Sequence, residues 1–346
     1  MTGTVLPPPP SQSGGPVPGR RPCSIRRRSA IDMTWPDGAN GKMEVDAEAI
    51  DMITLDADAP AQIVERSHLV ATALRSREIV ALKIDGDDTR VASALAGNRG
   101  GRFRAVLRDL FPDPSMRRGT QWHLLDDMAG ASIVGSSALL GWARDRASFV
   151  RDMEEASVGG KRDGKMEGVC IGFAPGSTAL SESGWVDLDK QHLSSTDDLA
   201  REDDPSGWFT PLRRDLPTTR RARWIDVWRE GREIVASAGF QDSANRPDGN
   251  LEAIHEYRVI IRANVSDAAI MSAQITPFVL PHRECPLAIP KADKIIGMKL
   301  DELASAVPVM FAQTEGCTHL NDVLRTLSPV AALAALLPEH CIGDAA

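Results

Sequence analysis

Twice along this chain, segments that alternate apolar and polar residues are followed by segments whose apolar residues recur every third or fourth position. Alternation with period two suits a strand with one buried face, and the wider spacing suits one face of a helix. Strands then helices, and the same order again, constrain the fold more than any other feature. They predict an α+β protein: antiparallel β-meanders with packed helices, in two similar halves.

The first run lies between Ser29 and Asp85 and reads as four short strands, AIDMTW, KMEVDAEAIDMI, QIVERSHLVATAL and REIVALKI, separated by turn signals at PDGANG, DADAP and near Ser76. RFRAVLRDLFPD then places Phe103, Val106, Leu107 and Leu110 on one helical face, and Pro112 and Pro114 end it. A second helix is expected from near Gln121 through WHLLDDMAGASIVGSSALLGWARD, with small residues that allow close packing on a neighbour. After Arg221 the strand pattern returns in RARWIDVWRE, REIVASAGF, LEAIHEYRVIIRANV and AIMSAQITPFV, with turns at Glu230-Gly231 and Val265-Ser266-Asp267. Two helices close the chain, and Pro338 stops the last.

This order divides the chain into a disordered tail over 1–22, an N-terminal half over 23–150, a long connection or lid over 151–220, and a C-terminal half over 221–346. The tail, rich in Pro, Gly and Ser, has almost nothing to bury, and the arginines at its root, Arg20, Arg21, Arg26, Arg27 and Arg28, read as solvated. The connection carries Gly159-Gly160, an acidic run from Asp197 to Asp204, and one strand pattern at GVCIGFA.

With 42% hydrophobic residues, the 346-residue chain can build a sizeable core. Its 40 basic and 48 acidic residues leave a net charge of −8, which counts against nucleic acid as a partner. Five cysteines, an odd number without a CxxC pair, suggest reduced thiols and a cytoplasmic protein. The first residues hold no apolar signal region, and the longest apolar run, Val330 to Leu337, is short of a membrane span. Neither a dinucleotide fingerprint, a phosphate loop nor a GxSxG elbow is present.

The chemistry concentrates in two patterns. His123-Leu124-Leu125-Asp126, followed by Asp127, and His319-Leu320-Asn321-Asp322 share the signature His-Leu-x-Asp, which sets an imidazole and a carboxylate about one helical turn apart on one face. The alternative is that the aspartates favour their helix N-termini and each histidine packs at the rim. The second pattern is the corner from Pro281 to Pro286, where two prolines restrict the backbone around His282, Arg283, Glu284 and Cys285. Cys285, Cys317 and His319 could instead form a soft metal-ligand set, joined by Glu284 or His282. His68, His255 and Tyr257 read as sheet-face packing, His192 and His340 as surface residues, and Cys23, Cys170 and Cys341 lack companion ligands.

At these residues the chain resembles a proteobacterial family known only as a domain of unknown function. SIRRRSAIDM, RFRAVLRD, HLLDDMAGA, LPHREC and GCTHLNDVLRTL carry the resemblance, which spans about Cys23 to Leu337. It implies a single architecture and no activity, and the occurrence of such proteins in bacteria that degrade aromatic compounds implies an aromatic substrate. A second likeness is one of topology. A meander, Cys285, a Gly-x-x-Leu-x-Glu-Leu step from Gly297 to Leu303, and Cys317 opening a helix are similar to the iron–sulfur scaffold proteins, although only these two cysteines fall in place.

The function expected is that of a carbon–carbon or carbon–oxygen lyase, working without cofactor or metal on a hydrophobic aromatic metabolite. One such reaction releases formaldehyde from a lignin-derived dimer. His319, Asp322, His282 and Glu284 would supply acid and base, with His123, Asp126 and Asp127 across a cleft. Two alternatives stand beside it: a metal-binding or iron–sulfur-handling protein using Cys285, Cys317 and His319, and a non-catalytic binding module. The partner is a small hydrophobic molecule, with no nucleic acid and no membrane, and self-association into a homo-oligomer stays open.

Overall fold

The computed structural model describes residues 6–56, 59–86, 89–150, 166–182, 184–204, 207 and 212–341. Strands β1 (Ser24–Thr34), β2 (Met43–Thr54), β3 (Gln62–Ala73) and β4 (Ile79–Ile84) form the first meander, and β6 (Thr218–Glu230), β7 (Glu233–Asn245), β8 (Leu251–Asn264) and β9 (Ile270–Val279) the second. The short β5 (Ser194–Thr196) pairs with the start of β8. One nine-stranded antiparallel sheet results, in the order β4-β3-β2-β1-β6-β7-β8, with β5 and β9 both on β8. The two meanders meet where β1 pairs antiparallel with β6, Ile25 opposite Val227 through Thr34 opposite Thr218. The α+β expectation is met.

Helices α1 (Thr89–Leu95), α2 (Gly100–Leu110), α3 (Thr120–Ala131) and α4 (Gly135–Trp142) follow the first meander, and α5 (Leu303–Met310), α6 (Thr318–Arg325) and α7 (Val330–Ala334) the second. The single helix expected from Gln121 is broken at Ser132–Val134 by a 3-10 turn, and the chain ends in three short helices where two were expected. Residues facing each other across β1 and β6 share a face, so Arg27 and Ser29 look the same way as Ile225, Arg223 and Arg221. Ser29 and Arg223 touch α3 on that face. One apolar cluster holds Leu124, Leu125 and Met128 of α3, another Leu303, Val307, Leu320 and Val323 of α5 and α6. Among the described residues, no helix is long and apolar enough to cross a membrane.

Residues 6–22 are docked, not free. Ser11 bridges Val279, the Gln12 N–H donates to Phe278 O at 3.1 Å, and the Leu280 N–H donates to Pro10 O at 2.9 Å. A proline-rich extended segment has few neighbours to bury of its own, but it can pair with the edge strand β9. Val17 is buried with Trp224, and Glu256, fully buried on β8, accepts from Ser13 Oγ and the Gly14 N–H. Of the arginines read as solvated, Arg26, Arg27 and Arg28 are interior, because β1 is a central strand, whereas Arg21 is exposed. Arg26 makes a two-pronged pair with Asp226, and Arg27 with Asp51.

GVCIGFA forms a 3-10 turn at Ile171–Phe173, not a strand. Residues 151–165 of the connection lie outside the described residues, and with them much of the expected lid. Cys23 and Cys341 form a disulfide joining the two ends of the fold, which corrects the expectation of reduced thiols throughout.

Candidate functional site

Strand register creates the site. Arg221 on β6 stands opposite Asp242 on β7, which stands opposite His255 on β8, and two residues along the same face lies the row Arg223, Phe240, Tyr257. Arg221 grips Asp242 with Nε to Oδ1 at 2.7 Å and Nη2 to Oδ2 at 2.9 Å. A bulge at Asp242/Ser243 follows at once and turns the strand there.

Helices α3 and α6 bring the signature carboxylates onto these arginines. Asp127 accepts from Arg223 through both oxygens, at 3.0 and 2.8 Å, and from Arg221 Nη1 at 3.1 Å. Asp322 accepts from Arg221 at 2.8 Å, Arg325 at 3.0 Å and Arg104 at 3.2 Å, and Arg325 also pairs with Asp126. Burial alone would raise the pKa of Asp127, but the Arg223 and Arg221 guanidiniums outweigh it and bring the carboxyl down to about 2. Burial likewise opposes ionisation of Asp322, and Arg325, Arg104 and Arg221 hold it well below the carboxylate range. Each of these charges is matched by hydrogen-bonded partners of opposite sign, the condition under which a buried ion network is tolerated. Gly130 permits it, since a Cβ there would overlap both the Asp322 carboxylate and the Arg221 guanidinium.

The imidazoles of the two signatures fare differently. His123 Nε2 is hydrogen-bonded to Ser29 Oγ at 2.8 Å, and burial followed by the Arg27 charge pushes it down to about 3, so it is neutral. His319 stacks on His255 with ring centroids 3.3 Å apart, and its Nε2 stands 3.8 Å from Asp242 Oδ2. His255 Nδ1 is 3.4 Å from the same oxygen, at angles that make no hydrogen bond, and burial with the nearby His319 lowers its pKa to about 4.

Around this pair the thiols gather. Cys317 sits at the N-terminus of α6, where the Cys285 thiol, His319 and the Leu320 N–H favour its thiolate and lower its pKa well below the ordinary value. Tyr257 Oη donates to its sulfur at 3.7 Å. Cys170, called companionless from the sequence, is beside them: a Cβ at Gly172 would come 3.1 Å from the Cys285 sulfur and 3.6 Å from that of Cys170. Burial raises Cys170 to about 11, leaving it a thiol.

Next to the cluster is a cavity of about 200 Å³ lined by Thr178, Lys190, His192, His282 and Arg283. Glu284 Oε1 accepts from the Thr178 N–H at 2.7 Å, while its Oε2 and His282 Nδ1 have no hydrogen-bond partner among the described residues. Burial lowers His282 to about 4, against the pull of Glu284. His192, read as a surface residue, forms part of the cavity wall, its N–H held by Pro281 O at 3.0 Å.

Of the residues singled out from the sequence, His282, Glu284 and His319 thus come together around the cavity and the thiols, and so do Cys285 and Cys317. Asp126, Asp127 and Asp322 converge on one another in the ion network, and His123 bonds to β1; none of these four lines the cavity. Asp242, His255, Tyr257 and Arg221 were missed. Their only local signal was a charged or ring-bearing residue in an otherwise apolar strand.

A family model described as a protein of unknown function (DUF2889) matches residues 219–333. That stretch includes Arg221, Asp242, His255, His282, Glu284, Cys285, Cys317 and His319, and leaves out Cys170 and the whole first meander. No curated protein and no solved structure matches the chain significantly.

Proposed function

We propose that the chain is a lyase that breaks a carbon–carbon or carbon–oxygen bond of a small aromatic metabolite by general acid–base catalysis in the cavity beside His282. The observation that carries this reading is a set of unpartnered buried atoms: Nδ1 of His282 in the cavity wall, Oε2 of Glu284, which holds the wall residue Thr178, and His255 Nδ1 and His319 Nε2. A buried polar atom without a partner is costly, and such atoms are retained where a ligand completes them.

With its pKa lowered to about 4, His282 is neutral near pH 7 and has a lone pair free to accept a proton. One reaction within this class starts from an aromatic dimer with a hydroxymethyl side chain. His282 takes the alcohol proton, and the bond to the hydroxymethyl carbon breaks to release formaldehyde. The freed electron pair forms a carbon–carbon double bond and expels the benzylic oxygen. The Lys190 ammonium, on the same wall, protonates that oxygen. A cavity of this size seats one ring and its side chain, with the remainder of a dimer at the mouth.

Incubation with a panel of hydroxymethyl-bearing phenolic dimers should give formaldehyde and a new alkene in equal amounts. His282→Ala should slow turnover about 10²–10⁴-fold, the usual contribution of a positioned acid or base, with thermal unfolding unchanged. Absence of both products across the panel, with folded protein, would remove the reading.

A further inference from the structure

We propose that Asp242, His255 and His319 form a binding site for one divalent transition-metal ion of the zinc or iron(II) class. The proposal goes beyond the lyase reading and stands whether or not that reading holds. One carboxylate and two imidazoles suit such ions, and the three ligand atoms all lie within 4.8 Å of one another.

The spacing is that of a coordination sphere. Ligand atoms about 2.1 Å from a metal lie about 3.0–3.4 Å apart in octahedral or tetrahedral arrangements. Asp242 Oδ2 is 3.4 Å from His255 Nδ1 and 3.8 Å from His319 Nε2, near those separations, and the two rings, stacked with centroids 3.3 Å apart, must turn out of parallel to aim both nitrogens at one ion. Neither nitrogen has a hydrogen-bond partner among the described residues, although His255 is buried and only 12% of the His319 side chain is exposed. Two such nitrogens face one carboxylate oxygen, so a cation between them would complete all three groups.

The surroundings supply what a metal site needs outside its ligands. Arg221 occupies one lone-pair direction on each oxygen of Asp242, fixing the carboxylate and leaving further lone pairs free. The first meander provides a control within the same molecule. Its matching row ends in Glu65, whose carboxylate is used by the Thr120 N–H, and its histidine is satisfied by Ser29.

Full-length protein should be stripped with chelator and titrated with cobalt(II) and with zinc(II), followed by calorimetry and by the visible spectrum of the cobalt form. One ion per chain is expected, with binding abolished in the His255→Gln/His319→Gln double variant and kept in Cys285→Ser/Cys317→Ser. Should the double variant not fold, His255→Gln alone is expected to weaken binding by more than the roughly 10–100-fold that loss of an outer partner costs, and to change the cobalt spectrum. Three results would overturn the proposal. Folded protein could bind neither ion; binding could survive removal of the histidines; or binding could follow the cysteines, either Cys285 with Cys317, seen as a thiolate-to-cobalt band, or Cys23 with Cys341 next to His340.

Discussion

In the N-terminal half, Arg27, Asp51 and Glu65 stand in register across β1, β2 and β3; in the C-terminal half, Arg221, Asp242 and His255 stand in register across β6, β7 and β8. Both rows begin with a two-pronged arginine–aspartate pair, and a bulge follows the aspartate in each. Both are overlain by a helix bearing His-Leu-x-Asp. They part at the third residue. Glu65 caps the start of α3 and His123 bonds to Ser29, so the first row has a partner for each of these groups. In the second, a histidine replaces the glutamate, and the nitrogens of His255 and His319 are left facing Asp242. The same scaffold is thus built once for stability and once with unsatisfied groups. The difference teaches that the signature itself marks a packing device, and that chemistry depends on the residue the adjacent strand places under it.

Removing the aspartates tests the contrast most severely. Asp51→Asn leaves Arg27 buried and uncompensated, and should cost about 3–5 kcal/mol in denaturant unfolding. Asp242→Asn should cost less, since Arg221 keeps Asp127 and Asp322. Equal losses would mean that the two pairs carry the same burden, and the contrast would fail.

Acid titration separates the halves by their histidines. His123 is lowered to about 3, and His255 and His282 to about 4, from an ordinary value of 6.5. Below about pH 6.5 the unfolded chain binds protons that the native state refuses, so stability present above that pH falls by about 1.4 kcal/mol per pH unit for each histidine. The loss continues to about pH 4 for His255 and His282 and to about pH 3 for His123. In chelator-stripped protein, His255→Gln with His282→Gln should remove roughly twice as much of this slope as His123→Gln. A slope unchanged in both variants would show that other groups govern acid unfolding.

The smallest effect is also the most discriminating. His123→Phe abandons Ser29 and should cost about 1–3 kcal/mol, whereas His255→Phe discards an unpaired nitrogen and should be neutral or stabilising in metal-free protein. Comparable destabilisation by both would indicate that His255 is as structural as His123.

Period-two alternation, the turn residues and the amphipathic spacing of Phe103, Val106, Leu107 and Leu110 are local properties, so the sheet, the helices and their order were legible in the sequence alone. So were the paired His-Leu-x-Asp signatures and the His282 corner, because their residues are neighbours along the chain. Tertiary structure decided the rest. Arg26 and Arg27 look like a solvated cluster until β1 pairs with β6, about 200 residues away, and becomes a central strand. Asp242 and His255 look like ordinary strand residues until the register of β6, β7 and β8 sets them in one row and α6 delivers His319 on top. Whether a buried charge has a partner depends on which distant strands and helices meet across the sheet. That choice follows from the packing of whole faces, and no window of adjacent residues contains it.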